Sequence, residues 1–295
     1  MKILYRKSYW YLLSVFAVAC SGARGSPPVA PSPLPTPTSQ PTAPVVPLVP
    51  TAGALSFKYA AGAVRYRITR SAAIESTAPD SQAHRELSTN ITSELLTLEP
   101  VDQGMNLTAL IDTSTTTTQG LIGTVQSIQL PVQISGSFTD SSLTINTGAT
   151  GSSCNTIGSM LAADLRNLLI AFPEQLSTGV SWKDSTDVQG CQAGIPTAAH
   201  TIRSYVVSGA TFYEGHPVLV ILRADTTHAR GEGGLQQHRV SIDAAGTGTA
   251  IYYLDSTTGR VMRLSIDQLL DLGITASAKR SQFRQNSKQE FQIVP

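Results

Sequence analysis

The feature that most constrains the fold of this chain is the alternation of apolar and polar residues in short runs, from Leu55 to the C-terminal end. The first clear example is residues 64–68, in which apolar side chains alternate with Arg65 and Arg67. A period of two is typical of a strand with one buried face. The runs are rich in Thr, Ile and Val and are bounded by Gly, Asp or Ser. The sequence therefore predicts a mainly β domain.

The predicted strands lie on both sides of one interruption. Before it, the alternating runs are residues 64–68, 87–98, 105–118, 121–134 and 136–146. After it, strands resume as residues 197–208, 217–229, 235–244, 247–254, 260–268, 270–276 and 281–294. The connections have the Gly and Asp content of hairpins. We expect about eleven antiparallel strands in a single domain from residue 55 to 295.

The interruption is a predicted helix at residues 157–172, which Pro173 terminates. Its apolar stripe consists of Leu161, Leu165, Leu168 and Leu169. Such a stripe must be buried, and the concave face of a sheet is the available surface. The predicted fold is therefore mainly β, a large curved, half-barrel-like antiparallel sheet packed on one α-helix. The four leucines either form plain core or line a site for an apolar ligand between helix and sheet.

No motif of a known catalytic or cofactor site is present. The chain has no G-x-S-x-G elbow, P-loop, H-E-x-x-H pair or EF-hand loop. We expect a non-enzymatic protein with neither metal nor cofactor, and a hydrolase with an unrecognised site is the enzymatic alternative. His228 and His238 bracket a Gly-rich hairpin tip and are expected to face each other, but two ligands are too few for a metal site. The acidic residues near Trp182 are interpreted as solvated loop residues, namely Glu174, Asp184 and Asp187.

The N-terminus has the composition of a secretory leader. A basic start with Lys2 is followed by an apolar run at residues 9–16 and by small residues at 17–19. The sequence that ends at Cys20 resembles the lipobox of bacterial lipoproteins. This resemblance implies cleavage before Cys20 and diacylation of its thiol, and Ser21 favours the outer membrane over the inner one. The same small residues also fit an ordinary A-x-A cleavage site, which would release an unlipidated secreted protein.

The segment after Cys20 has the composition of a tether. Residues 26–50 contain ten prolines and no charged residue, which disfavours helix and sheet and favours extended polyproline II. We therefore expect residues 1–19 to be a signal peptide and residues 20–54 to be a lipidated, Pro-rich tether. Without the leader, 18 of the 21 basic residues remain against 20 acidic ones. This balance excludes the basic surface that nucleic acid requires.

The cysteine count agrees with an envelope location. The chain has three cysteines, and lipidation of Cys20 leaves Cys154 and Cys191 as a pair. An oxidising periplasm permits a disulfide between them. Neither cysteine belongs to a C-x-x-C motif or has a histidine close by, which argues against zinc.

The segment at residues 173–182 (PEQLSTGVSW) places a proline after the helix and a tryptophan at the start of the next strand. With the order of elements, it resembles the LolA/LppX type of lipoprotein carrier, in which a half-barrel sheet surrounds a helix. The resemblance covers element order, so no functional residue is transferred from it. It implies a membrane-anchored, non-enzymatic protein that binds a lipid or other apolar ligand. The alternative is a structural or assembly component that docks another envelope protein.

Overall fold

The computed structural model describes residues 56–77, 85–119, 130–139, 142–146, 156–192, 195–234, 239–276 and 279–294. The chain divides into two compact units, Met1–Val45 and Val46–Pro295, and every described residue belongs to the second. The leader, Cys20 and the Pro-rich tether lie outside the described residues, and so does Cys154. Lipidation and the disulfide of Cys154 with Cys191 therefore stay predictions.

The described residues form one antiparallel sheet of eleven strands. The strands are β1 (Gly62–Ser76), β2 (Arg85–Val101), β3 (Gly104–Gln119), β4 (Val132–Phe138), β5 (Leu143–Asn146), β6 (Ser181–Gln192), β7 (Ile195–Tyr213), β8 (His216–Gly233), β9 (Val240–Asp255), β10 (Val261–Ala276) and β11 (Lys279–Val294). The one helix among these residues, α1, spans Thr156–Leu168 and lies between β5 and β6 in the chain.

The strand order shows how the sheet curls. It runs β5-β4-β3-β2-β1-β11-β10-β9-β8-β7-β6, so that β5 and β6 are the edges and β1 pairs with β11 in the middle. Helix α1 packs against β6 at one edge and against β4 and β3 near the other. One helix can contact both sides of so wide a sheet only if the sheet curves around it. The prediction of a half-barrel-like sheet packed on one helix is confirmed.

The hydrophobic core lies between α1 and the part of the concave face nearest to it. The exposed fractions of Leu161, Leu165, Leu168 and Leu169 are 0%, 1%, 2% and 4%. These leucines belong to one cluster with strand residues such as Ile68, Ile111, Ile221 and Phe291. Full burial of a leucine side chain contributes about 1.5–3 kcal/mol, so this stripe is the main hydrophobic attachment of the helix.

Close approach of neighbouring strands accompanies the curvature. A Cβ atom at Gly246 would lie 2.0 Å from the carbonyl oxygen of Leu269, and one at Gly231 would lie 2.7 Å from the carbonyl oxygen of Pro196. Both glycines are on the concave side, where curvature crowds the side chains. Glycine is required there because any side chain would collide with the adjacent backbone.

The helix is shorter than predicted, because it ends at Leu168 and not at residue 172. The reason is a tertiary contact. The hydroxyl of Tyr59 accepts a hydrogen bond from the amide of Ile170 at 2.7 Å, and it lies 3.1 Å from the carbonyl oxygen of Ile170 and 3.3 Å from that of Leu168. A side chain from the start of the domain thus pairs with backbone groups that would otherwise continue the helix.

The strand predictions also need three corrections. The runs predicted to end at residue 244 and to begin at residue 247 are parts of one strand, β9 (Val240–Asp255), and residues 235–238 lie outside the described residues. The runs predicted at residues 260–268 and 270–276 likewise form one strand, β10 (Val261–Ala276). Gly246 does not interrupt β9, because it remains in register with β8 and β10. The segment after Trp182 is strand β6 and not a loop. Most of the strand predicted at residues 121–134 lies outside the described residues.

Candidate functional site

The concave face of the sheet changes character along its strands. Next to α1 it is apolar, further along it is charged, and at the far end it is uncharged. We call the charged zone the polar belt; it comprises Arg70, Asn90, Thr92, Glu94, Asp184, Arg203, Arg223 and Asp225. Sequence alternation explains the arrangement, because every second residue of a strand faces the same side.

One half of the polar belt is centred on Arg70 of β1. Its guanidinium donates to Glu94 Oε1 at 3.1 Å and also to Asp164 Oδ2 of α1. It donates as well to the hydroxyl of Thr92 at 2.9 Å and to the amide oxygen of Asn90 at 3.2 Å. Two carboxylates therefore share one cation at the junction of sheet and helix.

The environment of these carboxyl groups shifts their pKa values. Burial, together with the neighbouring charge of Asp164, raises the pKa of Glu94 well above its ordinary value, and Arg70 opposes this only in part. Burial also raises the pKa of Asp164, against the attraction of Arg70. Like-charged carboxylates in a buried site cannot both ionise at low cost, so protonation of this pair is easier than in water.

The other half of the polar belt is centred on Arg203 of β7 and Arg223 of β8. Arg203 forms a bidentate pair with Asp184, with both nitrogen-to-oxygen distances at 2.7 Å, and donates to the carbonyl oxygen of Arg166 at 2.9 Å. Arg223 donates to Asp225 at 2.8 Å and to the side-chain oxygen of Asn167 at 3.0 Å.

These contacts hold the C-terminal half of α1 from both halves of the polar belt. Asp164 is held by Arg70, and the last turn is held by Arg203 and Arg223. Cations at a helix C-terminus also interact favourably with its partial negative charge. Because removal of one partner leaves a buried charge unpaired, such pairs specify a position more than they add net stability.

Beyond the polar belt lies a second, uncharged part of the concave face. Its side chains form three rows that cross strands β6 to β11, each residue directly opposite the next. We call this surface the uncharged concave face; it consists of Gln285, Leu270, Gly246, Thr227, Thr201 and Thr186, then Phe283, Leu272, Ala244, Ala229, Ala199 and Val188, then Ser281, Ile274, Ile242, Gly231, Thr197 and Gly190.

This surface is half-buried or buried but is not part of the core around α1. Ile242 and Ala244 are only 6% and 7% exposed, yet neither belongs to the core cluster. The middle row, from Phe283 to Val188, is entirely apolar. Most residues of this row have small side chains, so the row is apolar and its side chains fill little of the space above the sheet.

The convex side of the same strands has the opposite chemistry. It carries cross-strand ion pairs, which are Arg284 with Asp271 at 3.0 Å, Arg230 with Asp243 at 3.4 Å and Lys288 with Asp267 at 2.9 Å. These groups are exposed to water, where charges cost little. In strands β6 to β11, the charged residues are therefore segregated from the uncharged concave face.

Several residues proposed from the sequence occupy other environments than expected. The four helix leucines are core, and none lines the uncharged concave face. Asp184 is not a solvated loop residue, since it lies on β6 and pairs with Arg203 of β7, whereas Asp187 is exposed and contacts His200 at 2.8 Å. His228 lies opposite His200 and Ala245 in the sheet. His238, which was expected to face His228, lies outside the described residues.

Sequence reasoning missed the central arginines of the site. A signal was available, because Arg203 and Arg223 stand at inward positions of strands whose other inward residues include Tyr205, Val207 and Ile221. A charge in the buried phase of a strand needs a buried partner. For Arg223 the carboxylate partner, Asp225, lies two residues further along the same strand. The partners of Arg203 come from β6 and α1, so they could not be identified from its own strand.

The described residues contain no cluster of three or more His, Cys, Asp or Glu side chains that could hold a metal ion. In the same part of the chain, α1 falls short of the length and apolarity that a membrane-crossing helix requires.

Comparison with known proteins leaves the family open. No protein-family model matches the chain, and no curated protein is similar to it. Among solved structures, it is similar to a loop-deletion mutant of OmpT, an outer membrane protein of Vibrio cholerae. The identity is 7% and the TM-score is 0.22, with 79% of this chain and 99% of that chain covered.

Proposed function

We propose that this protein is a non-enzymatic cell-envelope lipoprotein that binds an apolar ligand, such as a lipid acyl chain, on its uncharged concave face. The observation that carries the proposal is the contrast between the two sides of strands β6 to β11. The convex side has ion pairs, whereas three successive rows on the concave side have no charged residue. The proposed site differs from the helix leucines, which are already packed.

Physical chemistry supports an extended apolar ligand. A hydrocarbon chain gains about 0.8 kcal/mol for each buried CH₂ group. The middle of the apolar row consists of three short side chains, those of Ala199, Ala229 and Ala244. The longer side chains of Leu272 and Phe283 follow at one end of the row. A curved surface of this kind can contact a flexible chain on several sides.

The anchoring part of the proposal rests on the leader and on Cys20. Metabolic labelling with palmitate should mark the wild-type protein and not the Cys20→Ser variant. Globomycin, which blocks cleavage of lipoprotein precursors, should make the wild-type precursor accumulate. A labelled Cys20→Ser variant, or an unlabelled wild type, would refute anchoring through this residue.

Ligand binding is tested with matched substitutions on one strand. Ala229→Glu places a charge in the apolar row, and Ala224→Glu places the same charge on the exposed convex side of β8. Binding of the neutral dye Nile red should fall by about tenfold or more in the first variant and remain unchanged in the second. Circular dichroism checks that both variants fold. Equal binding by both variants would refute the site.

A second candidate function is a structural or assembly role in which another envelope protein docks on the convex face. Val206, Leu222 and Ile251 lie directly opposite one another there and are 37%, 39% and 36% exposed. Adjacent exposed apolar residues on neighbouring strands are typical of interaction sites. Cross-linking in intact cells should then give an adduct that Leu222→Lys removes, while Nile red binding remains at the wild-type level.

A further inference from the structure

We propose that the ligand is an amphiphile with an anionic oxygen head group, which contacts Arg166 at the boundary between the polar belt and the uncharged concave face. This inference rests on the proposed function and adds the chemistry of the head group. The tail of the ligand lies along the uncharged rows. The head group lies where these rows meet the last turn of α1.

The position follows from the register of the sheet. Arg203 belongs to the last charged row across the sheet. The next row contains Thr201 and is the first uncharged one. The carbonyl oxygen of Arg166 accepts a hydrogen bond from Arg203 at 2.9 Å. Arg166 is therefore next to the point at which charged residues give way to uncharged ones.

Arg166 lies on a different side of α1 from the buried leucines. Arg166 and Asn167 are half-buried and Ala163 is exposed, whereas Leu165 and Leu168 on either side are buried. The side chain of Arg166 donates to the carbonyl oxygen of Ala162, in its own helix, at 3.2 Å. Among the ion pairs of the described residues, none includes Arg166, so its charge has no carboxylate partner there.

In the half of the polar belt around Arg203 and Arg223, cations outnumber carboxylates by one, whereas in the half around Arg70 carboxylates outnumber cations by one. Arg166, Arg203 and Arg223 supply three cations, while the ion pairs of this group include only Asp184 and Asp225. Burial and the neighbouring charge of Arg203 lower the pKa of Arg166, which reflects the cost of the unpaired cation. The C-terminus of a helix carries about half a negative elementary charge. This partial charge offsets only part of the surplus, and an anionic group would offset the rest.

The arrangement favours a monovalent oxyanion over a neutral head group. A guanidinium recognises carboxylate and phosphate oxygens through charge-assisted hydrogen bonds. A free anion without a tail would lack the apolar contacts, so both parts of the amphiphile are required for tight binding.

The test compares ligands of equal chain length on the full chain carrying Cys20→Ser, so that its own acyl chains do not compete. Displacement of Nile red is measured with palmitate, hexadecyl phosphate and the neutral hexadecanol. Palmitate should bind about tenfold more tightly than hexadecanol. Arg166→Gln should remove this difference by weakening palmitate alone, and Arg166→Lys should retain most of it. The matched control, Arg67→Gln, changes an exposed arginine of β1 and should leave the difference intact.

Each outcome separates the two proposals. Equal affinity for palmitate and hexadecanol, or an unchanged difference in Arg166→Gln, overturns the anionic head group while the apolar site stands. Failure of all three ligands to displace the dye overturns both. Tight binding of acetate or inorganic phosphate would show a site for free anions and refute the amphiphile. The order of palmitate and hexadecyl phosphate identifies the oxyanion, and either order supports the inference.

Discussion

At the residue scale, the most informative feature is that the polar belt places charges at inward strand positions. Burying a charge is costly unless it is paired, and here each strand arginine has at least one carboxylate partner. The pairs are unequal, however. Arg70 serves both Glu94 and Asp164, whereas Arg166 has no acidic partner among the described residues. The first imbalance affects stability, and the second is the basis of the proposed head-group contact.

The surplus carboxylate predicts a pH dependence of stability. The folded-state pKa values of Glu94 and Asp164 are raised, so the folded state binds protons more tightly than the unfolded state. The contribution of this tighter proton binding to the free energy of unfolding is fully present below the unfolded-state pKa values, about 4. It is lost as the pH rises through the folded-state pKa values. The contribution of this pair to the free energy of unfolding in urea should therefore decrease as the pH rises above about 4.5.

The variant Glu94→Gln tests this assignment because it keeps the shape and the hydrogen bond to Arg70 but removes one negative charge. Its free energy of unfolding should depend less on pH over the same interval. Glu290→Gln, which changes an exposed partner of Arg263 at 2.9 Å, should retain the wild-type dependence. A Glu94→Gln variant with the wild-type slope would refute the role of this cluster.

At the element scale, helix α1 shows how tertiary contacts override a local pattern. The leucine spacing predicts a helix that continues to residue 172, and local sequence contains no signal against this. The observed end at Leu168 depends on Tyr59, which is 111 residues away from its partner Ile170. Tyr59 also stacks on Phe172 at 5.5 Å between ring centroids and meets Phe138 edge-on at 5.2 Å. The aromatic contacts hold the hydroxyl in place.

Removal of that hydroxyl should destabilise the domain. In Tyr59→Phe, the rings still pack but the buried amide of Ile170 loses its partner, which costs about 1–3 kcal/mol. The matched control, Tyr253→Phe, changes a half-buried ring on the convex face and should cost about 0.5 kcal/mol or less. Urea unfolding measures both. Equal effects of the two substitutions would mean that the hydroxyl of Tyr59 is not a special contact.

At the scale of the whole molecule, the last strand of the chain is the middle strand of the sheet. β11 pairs with β1 on one side and with β10 on the other. It therefore joins the half of the sheet that contains β1 to β5 with the half that contains β6 to β10. Contacts between distant parts of a sequence form slowly because loop closure must precede them. The complete sheet can form only after β11 has been synthesised.

A chain that ends at Ala276 should fail to fold. Loss of β11 would leave β1 and β10 each with only one of their two neighbouring strands, and it would remove Phe291, which is fully buried. We expect no cooperative transition in thermal unfolding and rapid proteolysis. A chain that ends at Val294, and so lacks only Pro295, should unfold like the wild type. Cooperative unfolding of the shorter chain would show that the two halves of the sheet associate without β11.

The period-two alternation by itself determined that the chain is mainly β, because it specifies which residues of each strand can be buried. The leucine spacing determined in the same way that a helix supplies the opposing apolar surface. These are local patterns, and they are read within one element. Strand order, the length of β9 and β10, and the end of α1 were decided by contacts between distant residues.

Only the tertiary structure decided which surface is the candidate site. Ala229 and Leu272 become one apolar row, and Arg166 meets Arg203, because the register of β6 to β11 and the placement of α1 bring them together. Sequence spacing does not encode these distances. The helix leucines, which the sequence singled out, became core because the apolar part of the sheet and the stripe of α1 complement each other and bury both surfaces from water.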